Sequence, residues 1–266
     1  MTDTVPPLRE LGHDLIALTR RQRVIAVALP FACAAGYFAL AAVGRWPAAV
    51  LALVALSFFT YGSTSHDLVH RSMGLPGRAN EVLLCVVELL ALRSGHAYRA
   101  GHLHHHATFP SPDDIEGAAA RMTWYGALAD RLTLQVRVWL WALRRGGRER
   151  PWVVGEGTAC VALVLGSAAL LPVTPVVGVY VAIMVAGSWV IPLATSYVPH
   201  DVTGADELTQ TRAFRGKVAS VLALEHLYHL EHHLYPAVPH QNWPELARRL
   251  DPHLARAGVR PVRLGF

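Results

Sequence analysis

The sequence predicts an all-α fold: a polytopic membrane helical bundle with four transmembrane helices, a short re-entrant or interfacial helix, and a cytoplasmic His-rich helical cap. Three observations support it: long charge-free stretches, few charged residues, and 15 histidines that mostly cluster outside those stretches. Hydrophobic residues make up 53% of the chain and charged residues 16%, whereas soluble domains have about 25% charged residues. So much apolar surface must be buried, which excludes a disordered chain.

Four transmembrane helices are predicted from three charge-free stretches. Val24–Gly44 and Trp46–Ser65 are each long enough to cross roughly 30 Å of hydrocarbon. Gly157–Pro199 accommodates two spans, joined by a turn at Pro172-Val173-Thr174-Pro175. The chain is therefore predicted to be a single domain, residues 1–266, with spans at about 24–44, 46–65, 157–172 and 175–198 and cytoplasmic segments 66–156 and 199–266.

The distribution of cations predicts the orientation. All of the 24 Lys and Arg residues except Arg45 lie before the first span, between the second and third spans, or after the fourth. The positive-inside rule therefore places both termini and the long middle segment in the cytoplasm. A cleaved signal peptide is the alternative for the first stretch. Its apolar core exceeds the usual ~7–15 residues and a second span follows at once, so a retained anchor is favoured.

Two further segments are apolar or amphipathic and are not predicted to span the membrane. Val82–Leu92 is interrupted by Glu88 and is too short to cross, which favours a buried or re-entrant helix. Met122–Leu143 mixes aromatic and aliphatic residues with arginines, which is typical of a helix lying in the headgroup plane. An amphipathic helix packed on the cytoplasmic segments explains that pattern equally well. Because topology accounts for the arginines, no nucleic-acid partner is predicted.

Nine histidines form three clusters and one isolated position. They are His66 and His70 in His-x-x-x-His, His102, His105 and His106 in His-x-x-His-His, His229, His232 and His233 in a second His-x-x-His-His, and His200 at the end of the fourth span. On a helix, residues three and four apart share a face, so each cluster presents its imidazoles together. Nine imidazoles exceed the four positions around one tetrahedral ion and suit two neighbouring ions. Because imidazole binds Zn, Cu, Fe and Ni alike, the ligand type does not identify the metal.

The remaining polar residues near the clusters have weaker assignments. A single His-x-x-x-His arises by chance in a His-rich chain, but the repeated pattern on one predicted membrane side favours a metal site. Structural or outer-sphere roles are expected for His104, His226 and His240, and ordinary solvent or core positions for His13, His96 and His253. A carboxylate that orients a ligand imidazole is one interpretation of Asp67, Glu225, Glu231 and Asp201, and surface or capping roles explain them equally well.

In their order and topology the three clusters resemble those of the integral-membrane fatty acid desaturase superfamily, which includes carotenoid hydroxylases and ketolases. The resemblance covers roughly Ser65 to Leu250. It is most specific over Tyr228–Leu246, with His-Leu-Glu-His-His-Leu-Tyr-Pro-Ala-Val-Pro and then Asn242-Trp243-Pro244. His200 matches a lone histidine that the family carries near the end of a late span. Some relatives have an asparagine one turn earlier, where this chain has Ser196.

The resemblance implies a cofactor and partners. It implies two non-haem iron ions held by the nine clustered histidines, with O2 as co-substrate. It also implies a hydrophobic substrate from the lipid phase, an acyl chain or a carotenoid. The two electrons would come from a separate ferredoxin or cytochrome-type donor, because 266 residues do not accommodate a fused haem domain.

Other catalytic classes lack their motifs in this sequence. There is no His-Glu-x-x-His, no Gly-x-Gly-x-x-Gly, no P-loop and no Gly-x-Ser-x-Gly. What remains is metal chemistry on a molecule from the lipid phase. Breaking an unactivated C–H bond needs a strong oxidant, which a redox-inactive metal cannot generate. Iron with O2 can, in agreement with the resemblance.

The predicted function is an O2-dependent di-iron membrane oxidoreductase acting as a fatty acid desaturase on an acyl lipid or acyl thioester. A carotenoid ring hydroxylase or ketolase is the alternative. The Tyr-Val-Pro-His and Tyr-His-Leu-Glu-His-His motifs of this chain, together with its compact length, are also similar to those enzymes. A zinc-dependent membrane hydrolase is a remote alternative. A metal transporter is disfavoured, because residues 24–65 and 157–199 contain no His, Asp, Glu, Lys or Arg except Arg45. Candidate walls of a substrate tunnel are Phe58, Phe59, Tyr61 and Trp189, although lipid-facing or packing roles explain each one taken alone.

Overall fold

Helices make up nearly all regular structure in the part of the chain that the structure describes. The structure is a computed structural model and describes residues 5–187, 191–216 and 227–265. Within those ranges the strands are β1 (Phe214–Arg215) and β2 (Val262–Arg263), which pair in parallel. An isolated bridge also joins His200 and Thr211. The all-α fold class is confirmed.

The helices are numbered in chain order through the described ranges. They are α1 (Leu8–Leu11), α2 (Arg20–Ala42), α3 (Trp46–Phe59), α4 (Ser65–Val69), α5 (Gly77–Leu90), α6 (Gly95–Thr108), α7 (Trp124–Asp130), α8 (Leu134–Arg145), α9 (Arg150–Leu170), α10 (Val176–Gly187), α11 (Glu207–Gln210), α12 (His229–Leu234) and α13 (Trp243–Arg256). Two π-helical turns, Thr60–Thr64 and Pro192–Tyr197, and three 3-10 turns, His13–Ile16, Gly117–Arg121 and His240–Asn242, connect them.

Four stretches of helix are long and apolar enough to cross a membrane, as predicted. They run His13–Ala42, Trp46–Val69, Arg150–Leu170 and Val176–Tyr197, the last passing over residues outside the described ranges.

The third span begins at Arg150, before the charge-free stretch that predicts it, and includes Glu156. This carboxylate is satisfied, because it lies 2.7 Å from Nδ1 of His96 and accepts a hydrogen bond from Ser94 Oγ at 2.7 Å. The absence of charge therefore marks only the apolar part of a longer helix.

The first two spans form a tight hairpin. Gly44, between α2 and α3, has φ = +72°, a conformation that glycine adopts without steric cost. Helix α10 packs against this hairpin through aromatic side chains. The ring of Tyr37 meets that of Tyr180 edge to face at 5.3 Å, and the Tyr37 hydroxyl donates to the Val176 carbonyl at 2.5 Å.

Helix α5 covers most of the predicted short apolar helix, but it begins earlier, at Gly77, and ends at Leu90. It packs against α2, α4, α6 and α9, and among the described helices it is not one of the four candidate spans. Glu88 is fully buried near its end, and Arg93 donates to both carboxylate oxygens at 2.8 and 3.0 Å. The bidentate pair explains how a carboxylate can lie in an otherwise apolar helix.

Arg93→Met is expected to destabilise the protein by about 3–5 kcal/mol, because it leaves the Glu88 carboxylate buried without its partner. The double variant E88L/R93M removes both charges and should recover most of that stability. Thermal unfolding in detergent micelles, followed by circular dichroism, measures both effects. Equal melting temperatures for the single and double variants would contradict this interpretation of the pair.

The predicted amphipathic segment consists of α7 and α8. Leu134, Val138 and Ala142 are buried on the inner face of α8, which packs against α6 and α9. Val136 and Leu140 are exposed on the outer face. Packing on the helical core is therefore established for one face. A role in the headgroup plane stays a prediction for the other.

The C-terminal helices pack against the N-terminal segment. Leu230, Leu246 and Leu250 share a buried cluster with Leu11 and Leu15. The Tyr235 hydroxyl donates to the Pro6 carbonyl at 2.6 Å. These contacts hold α12, which carries one histidine cluster, against α13 and the N-terminal segment.

Candidate metal centre

Two π-helical turns and three helices bring the predicted ligands together. The turn Thr60–Thr64 leads from α3 into α4, which carries His66, and His70 follows α4 directly. The turn Pro192–Tyr197 precedes His200. Helix α6 carries His102, His105 and His106, and α12 carries His229, His232 and His233. Since π-helical turns are frequent at functional sites, their position next to His66 and His200 is informative.

Four histidines form the first group: His66, His70, His102 and His232. One nitrogen from each ring lies within 4.8 Å of the others. Nε2 of His66 is 2.9 Å from Nε2 of His232, and the rings of His70 and His102 are 5.0 Å apart. Three of the rings are buried and His70 is half-buried. The first sequence cluster therefore meets one residue from each of the other two.

Four other histidines form the second group: His105, His200, His229 and His233, again with one nitrogen from each ring within 4.8 Å of the others. His200 is central. Its Nε2 lies 3.2 Å from that of His105, 3.3 Å from that of His229 and 3.2 Å from that of His233. The isolated histidine of the sequence is thus the one that joins the second and third clusters.

His106 lies between the two groups. Its Nε2 is 2.7 Å from Nε2 of His232 and 3.2 Å from Nε2 of His102, both in the first group. Its ring is also 4.4 Å from that of His233, in the second group. The groups are adjacent, since the rings of His102 and His105 are 6.1 Å apart. All nine predicted histidines converge, in an arrangement suited to two neighbouring ions.

Hydrogen bonds at Nδ1 fix the orientation of three of these rings. Nδ1 of His105 is 2.6 Å from Asp114 Oδ2, and Nδ1 of His102 is 2.9 Å from Glu116 Oε2. Nδ1 of His200 faces the carbonyl of Ser196 at 2.9 Å. Each partner is an acceptor, so each Nδ1 carries a proton and each Nε2 is turned towards the histidine groups.

The two carboxylates remain ionised in this setting. Burial acts to raise the pKa of Asp114 and Glu116, but interactions with His105 and His102 outweigh it and keep both pKa values below the usual range. An ionised carboxylate accepts hydrogen bonds only, which reinforces the Nδ1–H form of each imidazole.

The nitrogen set fits bound metal cations. In His105 and His200 the Nδ1 atoms carry the ring protons, so the Nε2 lone pairs face each other across 3.2 Å. Two lone pairs at this distance repel each other, and a cation bound between them turns the repulsion into attraction. All nine donors are imidazole nitrogens, which suit Zn, Cu, Fe and Ni.

Burial keeps several of these imidazoles neutral, which is the form that binds metals. Burial lowers the pKa of His200 to about 3. Burial and neighbouring imidazoles lower the pKa values of His106, His229, His232 and His233 well below the usual value.

Aromatic side chains pack against the outside of both groups. The indole of Trp243 lies 5.3 Å from the ring of His66 and 5.2 Å from that of His232. The ring of Phe109 lies 5.4 Å from that of His105 and 4.5 Å from that of His200.

A cleft of about 740 Å³, lined in part by Phe109, His106 and His233, leads from the surface to the two histidine groups.

Asp114 and Glu116 are the orienting residues that sequence reasoning missed. Asp113, Asp114 and Glu116 are the only acidic residues between the second histidine cluster and Asp130. A short acidic segment that closely follows a histidine cluster is therefore a sequence signal for carboxylates that orient the imidazoles. Two of its three carboxylates contact ligand-candidate imidazoles, while Asp113 is exposed.

The other polar residues singled out in the sequence have varied roles. Asp67 accepts from the backbone N–H of His240 at 3.1 Å and lies 2.8 Å from its Nδ1, and it is 3.8 Å from Nδ1 of His66. Glu231 pairs with Arg215 at 2.6 Å. His104 packs on the Trp141 ring, Asp201 accepts a hydrogen bond from Thr203, and buried His96 lies between Glu81 and Glu156. Trp189, Glu225 and His226 lie outside the described residues.

Comparison with known proteins identifies the family. The chain matches the fatty acid desaturase family over residues 43–264. The protein belongs to the fatty acid desaturase family. The match includes the eight histidines of the two groups and His106 between them, and it confirms the superfamily that the sequence resembles. This fatty acid desaturase family member is an oxidoreductase of the desaturase or hydroxylase type, and its four apolar helices make it an integral membrane protein. A search of curated proteins finds no match.

Proposed function

We propose that the protein is an O2-dependent di-iron membrane oxidoreductase that desaturates fatty acyl chains. The observation that carries the proposal is the convergence of nine histidines: two adjacent groups of four, each with one nitrogen per ring within 4.8 Å of the others, and His106 between them. Family membership supports the same reaction class. All nine histidines, His66, His70, His102, His105, His106, His200, His229, His232 and His233, would serve as metal ligands.

The residues of the chain contribute position and a dry environment. Two bound iron ions would supply the reduction of O2 and the oxidising power needed to break an unactivated C–H bond. Asp114 and Glu116 hold the protons on Nδ1 of His105 and His102, so that Nε2 is available. Trp243 packs against His232 and Phe109 against His105, and these apolar rings exclude water from the imidazole faces that they cover, which strengthens the electrostatic interactions there.

Orientation and partners extend the same proposal. The concentration of Lys and Arg on one side of the spans supports cytoplasmic termini and cytoplasmic histidine clusters. The acyl chain would enter from the lipid phase, and a separate ferredoxin or cytochrome-type donor would deliver electrons from the cytoplasm. The cleft that reaches His106 and His233 provides an approach to the metal centre from the surface.

Two experiments on purified protein and whole cells test the function. About two iron ions per chain, with O2 uptake that depends on a reductant, are expected for a di-iron oxidase. One bound zinc with no O2 uptake would instead support a membrane hydrolase.

Expression in a host that makes both carotenoids and ordinary lipids should give acyl chains lighter by two hydrogens, detected by mass spectrometry. Oxygen gained on carotenoid rings would favour a ring hydroxylase or ketolase and contradict the acyl assignment.

A further inference from the structure

Tyr61 lies at the start of a chain of contacts that reaches the first histidine group. It belongs to the π-helical turn Thr60–Thr64, and its side chain is 6% exposed. The Tyr61 hydroxyl donates to Glu116 Oε1 at 2.9 Å. The other oxygen of the same carboxylate lies 2.9 Å from Nδ1 of His102. One carboxylate thus accepts from a phenol on one side and from a ligand-candidate imidazole on the other.

Two neighbours, Tyr98 and Arg93, hold Tyr61 in place. Its ring stacks on that of Tyr98 at 4.6 Å, and the Tyr98 hydroxyl donates to the Tyr61 carbonyl at 3.0 Å. The guanidinium of Arg93 lies 5.1 Å from the Tyr61 ring centroid and donates to Thr60 Oγ1 at 3.0 Å. Arg93 is itself fixed by the buried pair with Glu88. The Tyr61 ring and the turn that carries it are therefore held in position next to Glu116.

The second histidine group is supported differently. Asp114 faces Nδ1 of His105 with Oδ2, while its Oδ1 accepts backbone N–H groups from Glu116 at 3.1 Å and Gly117 at 2.9 Å. Both carboxylates therefore accept from an imidazole and from a second donor. In the first group that second donor is a side chain, whose strength as a hydrogen-bond donor can be changed without altering the backbone.

We propose that Tyr61 is a positioning residue that acts through Glu116 to set how strongly His102 donates to a metal in the first group. The phenol draws negative charge from the Glu116 carboxylate and so weakens its pull on the Nδ1–H of His102. A weaker pull leaves the imidazole less basic, and ligand basicity tunes a bound metal. The inference rests on the metal site of the proposed function, although not on its reaction with O2.

Tyr61→Phe tests the proposal through the reduction potential of the iron-loaded protein. Without the phenol, Glu116 accepts more strongly from His102, so the imidazole becomes a better donor and the potential should shift to a more negative value. Tyr37→Phe is the matched control, because it also removes a buried hydroxyl that donates a hydrogen bond, to the Val176 carbonyl. The control should leave the potential unchanged. Equal potentials in wild type and Tyr61→Phe would overturn the proposal.

A second variant tests the proposal if Tyr61→Phe does not fold. Incorporation of 3-fluorotyrosine at position 61 keeps the shape of the ring and strengthens the phenol as a donor. It should move the potential in the opposite direction, to a more positive value. A shift of the same sign for both changes would contradict the argument, because it would indicate a general disturbance of the site.

A spectroscopic readout separates this inference from the proposed function. In zinc-loaded protein with ¹⁵N-labelled histidine, the Nδ1–H proton of His102 should move downfield in Tyr61→Phe and stay in place in Tyr37→Phe. If the resonance moves as expected but the iron-loaded protein takes up no O2, the proposed function is refuted and the role of Tyr61 is supported. An unmoved resonance in a protein that does consume O2 would refute the inference alone.

Discussion

Replacing His232 with alanine is expected to abolish oxidation of the substrate and to lower bound iron from about two ions per chain to about one. His232 is fully buried in the first group, and its Nε2 lies 2.9 Å from that of His66 and 2.7 Å from that of His106. Losing an outer partner of a metal ligand already costs about 10–100-fold in activity or affinity, so losing the imidazole itself should cost more. Metal analysis and O2 uptake on the purified variant provide the measurement.

His13→Ala is the matched control for this experiment. His13 is an exposed histidine in a 3-10 turn at the N-terminal side of the first span. Iron content and activity should be unchanged in this variant. Full activity with undiminished iron in His232→Ala would remove His232 from the metal centre.

Asp114→Ala should weaken metal binding or activity by about 10–100-fold while the protein stays folded. The carboxylate lies 2.6 Å from Nδ1 of His105 and is held by two backbone N–H groups of the following turn. Without it, His105 can rotate or exchange its tautomer, and Nε2 is no longer reliably directed at His200. Competition with a metal chelator measures the affinity, and circular dichroism in detergent monitors the fold.

The neighbouring residue offers a control that differs by one position. Asp113 is exposed, and its replacement by alanine removes the same charge from the same segment without touching His105. We expect Asp113→Ala to bind metal as the wild type does. Equal losses in the two variants would show that the segment's charge matters and that the contact of Asp114 with His105 does not.

The sequence predicts the membrane spans and the helices that carry the histidines, because two patterns are strong: long charge-free stretches and histidines spaced three or four residues apart. Charge-free stretches predicted four spans, and the structure has four helices long and apolar enough to cross a membrane. Histidines three and four residues apart predicted shared helix faces, and α6 and α12 carry two of the clusters as expected. The assignment of these residues as iron ligands stays a prediction.

The pairing of polar groups could not be predicted, because it depends on contacts between residues far apart in the chain. Glu88 interrupts an apolar run, and only the structure places Arg93 against it in a buried pair. For Tyr61 the sequence predicts a tunnel wall or a packing role, and the structure adds a hydrogen bond from its hydroxyl to Glu116 that the sequence does not indicate. Phe58 was a second tunnel candidate and is exposed on its span.

The division of the histidines into two groups also lay beyond the sequence. Neighbouring members of one cluster separate: His102 joins the first group and His105 the second, while His232 and His233 separate in the same way. The directions of the His102, His105 and His200 rings depend on their Nδ1 partners, which are Glu116, Asp114 and the Ser196 carbonyl. Helical spacing predicts a shared face but does not determine these partners.

The central claim is that the two histidine groups each hold one metal ion. Anomalous diffraction at the iron absorption edge, from crystals of the iron-loaded protein, tests it most directly. We expect two anomalous peaks, one surrounded by His66, His70, His102 and His232 and the other by His105, His200, His229 and His233. A single peak, or peaks away from these nitrogens, would contradict the account.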